Sequence, residues 1–451
     1  MTTDFWDSSF RSNADNTALI WNGKNISYGD LSQLIESHIS GFNELKVTPG
    51  EVIALIGDFS PNSIALLFAL IKNNNIIVPL NFSQKGKNKK KLEIALVERI
   101  IEVSAEDNVQ YSEKFEKDTH KLYELLISGR VPGLVLFTSG TSGEPKAAVH
   151  DFSRLLKKFE IKRNNLSTIN FLLFDHWGGL NTMFHTISNG GTVITLTDRN
   201  PFLICEIIEK YKIELLPASP TFLNLLIISG AFRNYDLSSL KVISYGTEPM
   251  PQTTLDKLRE LFPGIKLQQT YGLIELGVLR SKSKSNDSLW VKIGGEGFKT
   301  RVVDDMLQIK AESAMLGYIN APSPFTDDGY FITGDAVEVD GEYFKILGRK
   351  SEIINVGGEK VYPSEIESVI QQYENIADVI VYGEKNPIMG NIVCANVSLI
   401  EPCADAKEYV KKLKMFCRER LLNYQVPVKI FISADNLYGD RYKKNRADFD
   451  N

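Results

Sequence analysis

Cysteine is scarce in this chain, and that scarcity excludes several classes of protein. The 451 residues hold four cysteines, at positions 205, 394, 403 and 417, with no spacing that suits a metal or a disulfide framework. Reduced thiols and a cytoplasmic location are expected. The five histidines do not cluster, so a His/Cys metal centre is not expected. Long apolar runs are also missing. The longest, residues 63–71, falls far short of the ~20 residues that span a bilayer, so no integral membrane segment is expected. The opening Met1-Thr2-Thr3-Asp4-Phe5 lacks the basic and apolar regions of a signal peptide. Basic charge is not in excess: 51 Lys and Arg face 56 Asp and Glu, a net charge of −5, which gives no footprint of a nucleic-acid partner. No repeat or low-complexity segment is visible.

A globular chain remains, with 43% hydrophobic and 24% charged residues and enough length for two or three domains. Residues 31–42 have helical spacing, 52–56 read as a buried strand, 62–72 as an apolar helix and 76–80 as a strand. Such alternation implies a parallel sheet with helices on its faces. The pattern returns after residue 165, with strands at 170–174 and 191–196 around a helix at 180–188, then strands at 241–245 and 266–269 around another helix. Residues 291–348 change to short alternating strands with many glycines, a small antiparallel region. A compact α+β unit follows, with strands at 377–382 and 391–399 and a helix at 407–422. Its first helix is expected to begin at Ser364, as N-cap, with Glu367 closing a capping box. The fold expected is α/β: a large domain over 1–350, holding stacked parallel-sheet α/β subdomains and the 291–348 β-region, then a small mobile α+β domain over 351–451. The basic run Lys85-Gly86-Lys87-Asn88-Lys89-Lys90-Lys91 is expected to be a solvated loop.

One stretch carries most of the chemistry. The apolar run 134–137 delivers Thr138-Ser139-Gly140-Thr141-Ser142-Gly143-Glu144-Pro145-Lys146. Glycines let backbone N–H groups approach anionic oxygens, hydroxyls add donors, and the lysine adds charge, so the loop can wrap a polyphosphate. It is not a Walker A loop, because Lys146 follows Pro145 and precedes Ala147. Further along, Tyr271-Gly272-Leu273-Ile274-Glu275 offers an aromatic to stack on a base and a carboxylate to hold Mg²⁺. By itself a Tyr-Gly pair is equally an ordinary turn. In Thr333-Gly334-Asp335 a carboxylate after a tight turn can accept two ribose hydroxyls.

The phosphate loop and the segments that follow it in order resemble the adenylate-forming superfamily: acyl-CoA synthetases, luciferases and peptide-synthetase adenylation domains. The resemblance runs from about residue 20 to residue 446. It implies that Thr138, Ser139, Gly140, Thr141, Ser142, Gly143 and Lys146 hold ATP phosphates, with Thr141 and Glu275 at the Mg²⁺. It implies that Tyr271 and Gly272 face adenine, that Asp335 and Arg349 reach the ribose or phosphate, and that Gly246, Thr247 and Glu248 line the nucleotide pocket. His176 matches the histidine that precedes Gly-Gly-Leu in acyl-CoA synthetases, and with Trp177, Gly178, Tyr245 and Leu273 it is expected around the acyl group. Asp175 is the rival reading, an aspartate that would pair with the amino group of an amino-acid substrate. Ser351 matches the pivot of the small domain and Gly358 the glycine beside the pantetheine tunnel. Lys443, with Arg446 at the expected spacing, matches the adenylation lysine, and Lys444 is the alternative by one residue. Two departures stand out: Ile274 replaces a threonine and Tyr442 replaces a glycine. The activity implied is ATP-dependent activation of a small carboxylic acid as an acyl-adenylate, then transfer to the thiol of CoA or of a carrier-protein phosphopantetheine. Amino-acid adenylation and an impaired nucleotide-binding homologue are the alternatives. These residues carry no signal for an oligomeric state.

Overall fold

A computed structural model describes residues 4–82, 85–116, 119–139, 144–196, 198–295, 297–433, 437–439, 442, 444 and 446. The strands Val52–Gly57 and Ile76–Asn81 are buried along their whole length, as apolar runs in a covered parallel sheet must be. Between them runs the helix Pro61–Lys72. Ser60 caps it by accepting the Ser63 N–H, and Pro61 occupies its first turn. That helix is apolar all round and buried from Ser63 to Ile71, so it lies between layers and has no polar face for solvent.

The layers are two seven-stranded sheets. In one, Gly317–Tyr318, Pro145–Asp151, Gly133–Ser139, Ile76–Asn81, Val52–Gly57, Arg99–Val103 and Val109–Tyr111 lie side by side. Its four middle strands, from Gly133–Ser139 to Arg99–Val103, are parallel. The other runs Lys266–Gln269, Val242–Tyr245, Leu215–Ala218, Ser167–Ile169, Thr192–Ile194, Thr17–Trp21 and Lys24–Ser27, parallel except at the last strand. One core joins them: Leu19 and Val193 from one sheet and Ile53, Ile77 and Leu134 from the other enclose Trp6, Phe68 and Phe184. These aromatic rings meet at 4.8–5.6 Å. A six-stranded antiparallel sheet from Ser281 to Arg349 follows, then a last sheet from Ile354 to Ser433 carrying the helices Pro363–Ile370 and Ala406–Arg418. This is the α/β architecture expected, a large region of stacked sheets followed by a small α+β unit. Among the described residues no helix is long and apolar enough to cross a membrane.

The structure corrects four local expectations. The basic run is not a loop but part of the helix Lys85–Ile94, and Lys91 and Asn88 on it are buried. Residues 170–174 are irregular, since the strand there is Ser167–Ile169. The helix expected at 180–188 begins earlier, as Trp177–Ser188. Ser364 is not an N-cap: the helix is Pro363–Ile370, Tyr362 precedes it, and the Ser364 hydroxyl donates to the Leu347 carbonyl at 2.5 Å. Glu367 therefore closes no capping box.

Candidate active site

The strands Gly133–Ser139 and Pro145–Asp151 pair antiparallel, with Thr138 opposite Lys146. This hairpin brings the two ends of the phosphate loop together. Gly140, Thr141, Ser142 and Gly143 lie outside the described residues, as does the side chain of Ser139. Lys146 extends its ammonium 5.8 Å above the Tyr318 ring. Tyr318 pairs across to the same strand, opposite Ala148. Its hydroxyl donates to Glu275 Oε1 at 2.5 Å. Burial, with the Glu275 charge beside it, pushes that phenol pKa up, so Tyr318 stays a neutral donor. Among the described residues the second carboxylate oxygen of Glu275 takes no hydrogen bond. A half-buried carboxylate with an open oxygen suits Mg²⁺, which keeps few protein ligands and completes its shell with phosphate and water.

Next to it stands a second charged group. Asp335 and Arg349 are direct cross-strand partners, and Arg349 Nε lies 2.8 Å from Asp335 Oδ1. The Tyr271 hydroxyl donates to Asp335 Oδ2 at 2.5 Å. Thr333 fixes the turn: its hydroxyl donates to the Leu307 carbonyl and accepts the Asp335 N–H, while its own carbonyl accepts from Arg349 Nη1 at 3.2 Å. Burial raises the Asp335 pKa, opposed by the Arg349 charge and the Tyr271 hydroxyl and reinforced by nearby Glu275. Burial works against the Arg349 charge, but Asp335, Tyr271, Glu275 and Glu352 outweigh it and push its pKa up. The structure thus gathers two adjacent groups, Lys146–Tyr318–Glu275 and Tyr271–Asp335–Arg349, whose charges act on one another.

The acyl-side candidates divide. His176 caps the helix Trp177–Ser188, its Nδ1 accepting the Gly178 N–H at 3.0 Å, which leaves that nitrogen unprotonated. Glycine is required at 179 behind it, where a Cβ would sit 2.4 Å from the Leu173 carbonyl oxygen; at Gly178 a Cβ would meet the movable Leu172 Cδ1 at 2.4 Å. A Cβ on Gly246 would lie 2.6 Å from the Thr270 carbonyl oxygen, at the end of the strand that holds buried Tyr245. Thr247 adopts φ +76°, and Glu248 accepts the Thr221 N–H at 2.9 Å. Trp177 and Leu273 belong to hydrophobic cores, Trp177 edge-on to Phe152 at 6.1 Å and Leu273 with Leu276 and Met315. Asp175 is buried, with Lys91 Nζ 3.7 Å from its carboxylate, so a cation of the protein already faces it.

Lys443 lies outside the described residues, but its neighbours show how the tail is threaded. Lys444 turns into the small domain, its Nζ 2.9 Å from Glu367 and 3.5 Å from Asp378. Arg446 grips Glu367 with two nitrogens at 2.5 and 2.9 Å. Burial alone would raise the Glu367 pKa, but Arg446 and Lys444 outweigh it and carry it down to about 2. Lys444 is thereby committed to a structural ion cluster. Ser351 lies in the short turn Lys350–Glu352, and Gly358 has φ +96°, a backbone that favours glycine. Sequence reasoning missed Tyr318 as a partner of Glu275, Lys91 as a partner of Asp175, and Glu367 as the anchor of the tail. Each link joins residues far apart in the chain and leaves no local signal.

Comparison with known proteins supplies the family and the fold. The sequence profile of the AMP-binding enzyme family matches residues 6–92 and 83–330, and that of the AMP-binding enzyme C-terminal domain matches 365–438. Indoleacetate–CoA ligase of Aromatoleum aromaticum is 26% identical, covering 96% of this chain and 94% of the relative. 2-Succinylbenzoate–CoA ligase of Listeria monocytogenes is 27% identical, covering 95% of each. Feruloyl-CoA synthase of an Amycolatopsis species is 24% identical over 92% of this chain and 91% of the relative. Among solved structures, anthranilate CoA ligase AuaEII with anthranoyl-AMP superposes with a TM-score of 0.83 at 18% identity over 99% and 96% of the two chains. The o-succinylbenzoate CoA synthetase of Bacillus subtilis with its acyl-adenylate gives 0.79 at 20% identity over 99% and 98%.

Proposed function

From the premise that the chain belongs to the AMP-binding enzyme family, we propose that it is an AMP-forming acid–thiol ligase. It activates a carboxylic acid with ATP as an acyl-adenylate and passes the acyl group to the thiol of CoA. The observation that carries this reading is the pair of neighbouring groups Lys146–Tyr318–Glu275 and Tyr271–Asp335–Arg349, close enough for their charges to act on one another.

The acid oxygen attacks the α-phosphorus and pyrophosphate leaves, so no enzyme nucleophile is required. What the protein supplies is position and charge. Lys146 neutralises the leaving phosphates, and Asp335 receives the ribose hydroxyls once Tyr271 yields its bond. Arg349 holds Asp335 in place and presents its remaining nitrogens to phosphate. Glu275, oriented by Tyr318, is the residue that would hold Mg²⁺, and that ion would supply further neutralisation of phosphate charge. His176 borders the carboxylate as a neutral imidazole. Lys443 is assigned to the reacting centre, supported by the commitment of Lys444 elsewhere. The lid is taken as residues 351–451, turning about Ser351, with Gly358 beside the thiol path.

The Lys91–Asp175 contact favours acids without an α-amino group. The three relatives named above act on acids that carry an aromatic ring, so aryl acids head the candidate substrates. The four cysteines, free and mostly buried, support a cytoplasmic setting. The test is ATP–pyrophosphate exchange across aryl, fatty and amino acids. Exchange with a non-amino acid, followed by AMP release and thioester formation with CoA, is the expected result. Exchange with amino acids alone would overturn the substrate class, and no exchange with any acid would overturn the function.

A further inference from the structure

Tyr442, which stands where the resemblance implies a glycine, is seated on the large domain by four contacts. Its hydroxyl donates to the Arg199 carbonyl at 3.0 Å, and its own carbonyl accepts from Ser219 Oγ at 2.7 Å. Its ring meets Phe222 edge-on at 5.5 Å and Phe171 at 5.8 Å. Tyr438, four residues earlier on the tail, stacks on it at 5.3 Å. The backbone at Tyr442 has φ +49°, a region where a side chain is a burden and glycine is not. Tyr442 is flanked by residues whose allegiance is different: Lys444 and Arg446 bind Glu367 of the small domain. Lys443 is the next residue in the chain, between Tyr442, held by the large domain, and Lys444, whose ammonium is held by the lid while its backbone N–H donates to Glu248 of the large domain at 3.4 Å.

We propose that Tyr442 is a positioning residue that latches the tail onto the large domain, favouring carboxylate adenylation and opposing the lid rotation that thioester formation requires. This rests on the function proposed above. A contact made in one orientation and absent in the other shifts the balance by its own free energy, so the latch has to slow departure from the adenylating state. Other links between the large domain and this end of the lid are single hydrogen bonds: Asn224 donates to the Ala377 carbonyl at 2.8 Å, Thr253 to Gln371 at 3.4 Å, and the Lys444 N–H to Glu248 at 3.4 Å. None of these three adds a ring contact.

The test separates the two half-reactions in the full-length enzyme. With Tyr442→Gly, acid-dependent ATP–pyrophosphate exchange should fall about tenfold or more, while single-turnover thioester formation from a supplied acyl-adenylate stays level or rises. Tyr442→Phe, which keeps the ring and loses one hydrogen bond, should lie between. An equal fall in both half-reactions, or no change in either, overturns the latch. A readout that needs no activity is the distance between spin labels at exposed Ser238 and Lys411. It should broaden in Tyr442→Gly and less in Tyr442→Phe. If the wild type exchanges with no acid yet the distances broaden in that order, the ligase reading fails and the latch stands. Unchanged distances overturn the latch whatever the activity.

Discussion

The charges around Asp335 and those around Glu367 are built to opposite specifications. In the first cluster the Arg349 side chain keeps 48% of its exposure, and Glu275 leaves an oxygen open. In the second, the side chains of Glu367, Lys444 and Arg446 are 4%, 10% and 16% exposed and bond one another. A site that awaits a charged ligand holds charge in reserve at its rim. A cluster that ties a tail to its domain turns its charges on one another, because a buried charge left over is costly. On the proposed function the same residue types serve binding in one place and structure in the other, and since the Asp335 side chain is only 7% exposed, it is the exposed Arg349 that tells them apart.

The sharpest way to break this contrast is Glu367→Ala, which leaves two buried cations with only the longer ion pairs to Asp378 and Glu352. It should destabilise the small domain by ~3–5 kcal/mol, seen as a lowered denaturation midpoint, with the large domain little affected. A shift under ~1 kcal/mol would mean the cluster is solvated like an exposed pair. The cluster should also titrate. Glu367 sits near pKa 2 against its ordinary 4.5, so its stabilisation is present above pH 4.5 and is lost as pH falls towards 2. Asp378, raised by burial, works the other way and blunts the start of that transition. Protease release of the tail, followed against pH, checks the window.

Next in size, Lys443→Ala should cost about 10²–10³ in exchange rate with an unchanged melting temperature. Lys444→Ala should do the reverse, and equal catalytic loss in both would undo the assignment by one residue. Asp335→Asn should weaken ATP binding by about 10–100-fold while the fold holds, since Arg349 can turn to water; calorimetry measures this. Smallest, Tyr271→Phe removes one hydrogen bond to Asp335 and should cost ~1 kcal/mol in ATP affinity. A much larger loss would show that the hydroxyl itself contacts the nucleotide.

What could be read from the sequence was whatever is contiguous. The strand into the phosphate loop, the Tyr271–Glu275 segment and the turn before Asp335 each carry their signal within a few residues. The partners of those residues do not. Glu275 and Tyr318 are 43 positions apart, Glu367 and Arg446 79, and only the fold makes them neighbours. Two local signals were overridden. The lysine-rich run has almost no apolar period, yet burial of Asn88 and Lys91 one turn apart against the large domain makes it helical. Ser364 and Glu367 have capping-box spacing, but Pro363 takes the first helical position and Glu367 is claimed by the tail.

The glycines behind His176 carry a consequence for how such an enzyme diversifies. At Gly179 and Gly246 any side chain runs into backbone oxygen, at 2.4 and 2.6 Å, so neither position accepts a substitution without moving a strand or a helix. On the proposed function, two positions beside the acyl group are thus closed to point mutation, and a change of acid preference has to come from other side chains or from the spacing of the elements themselves.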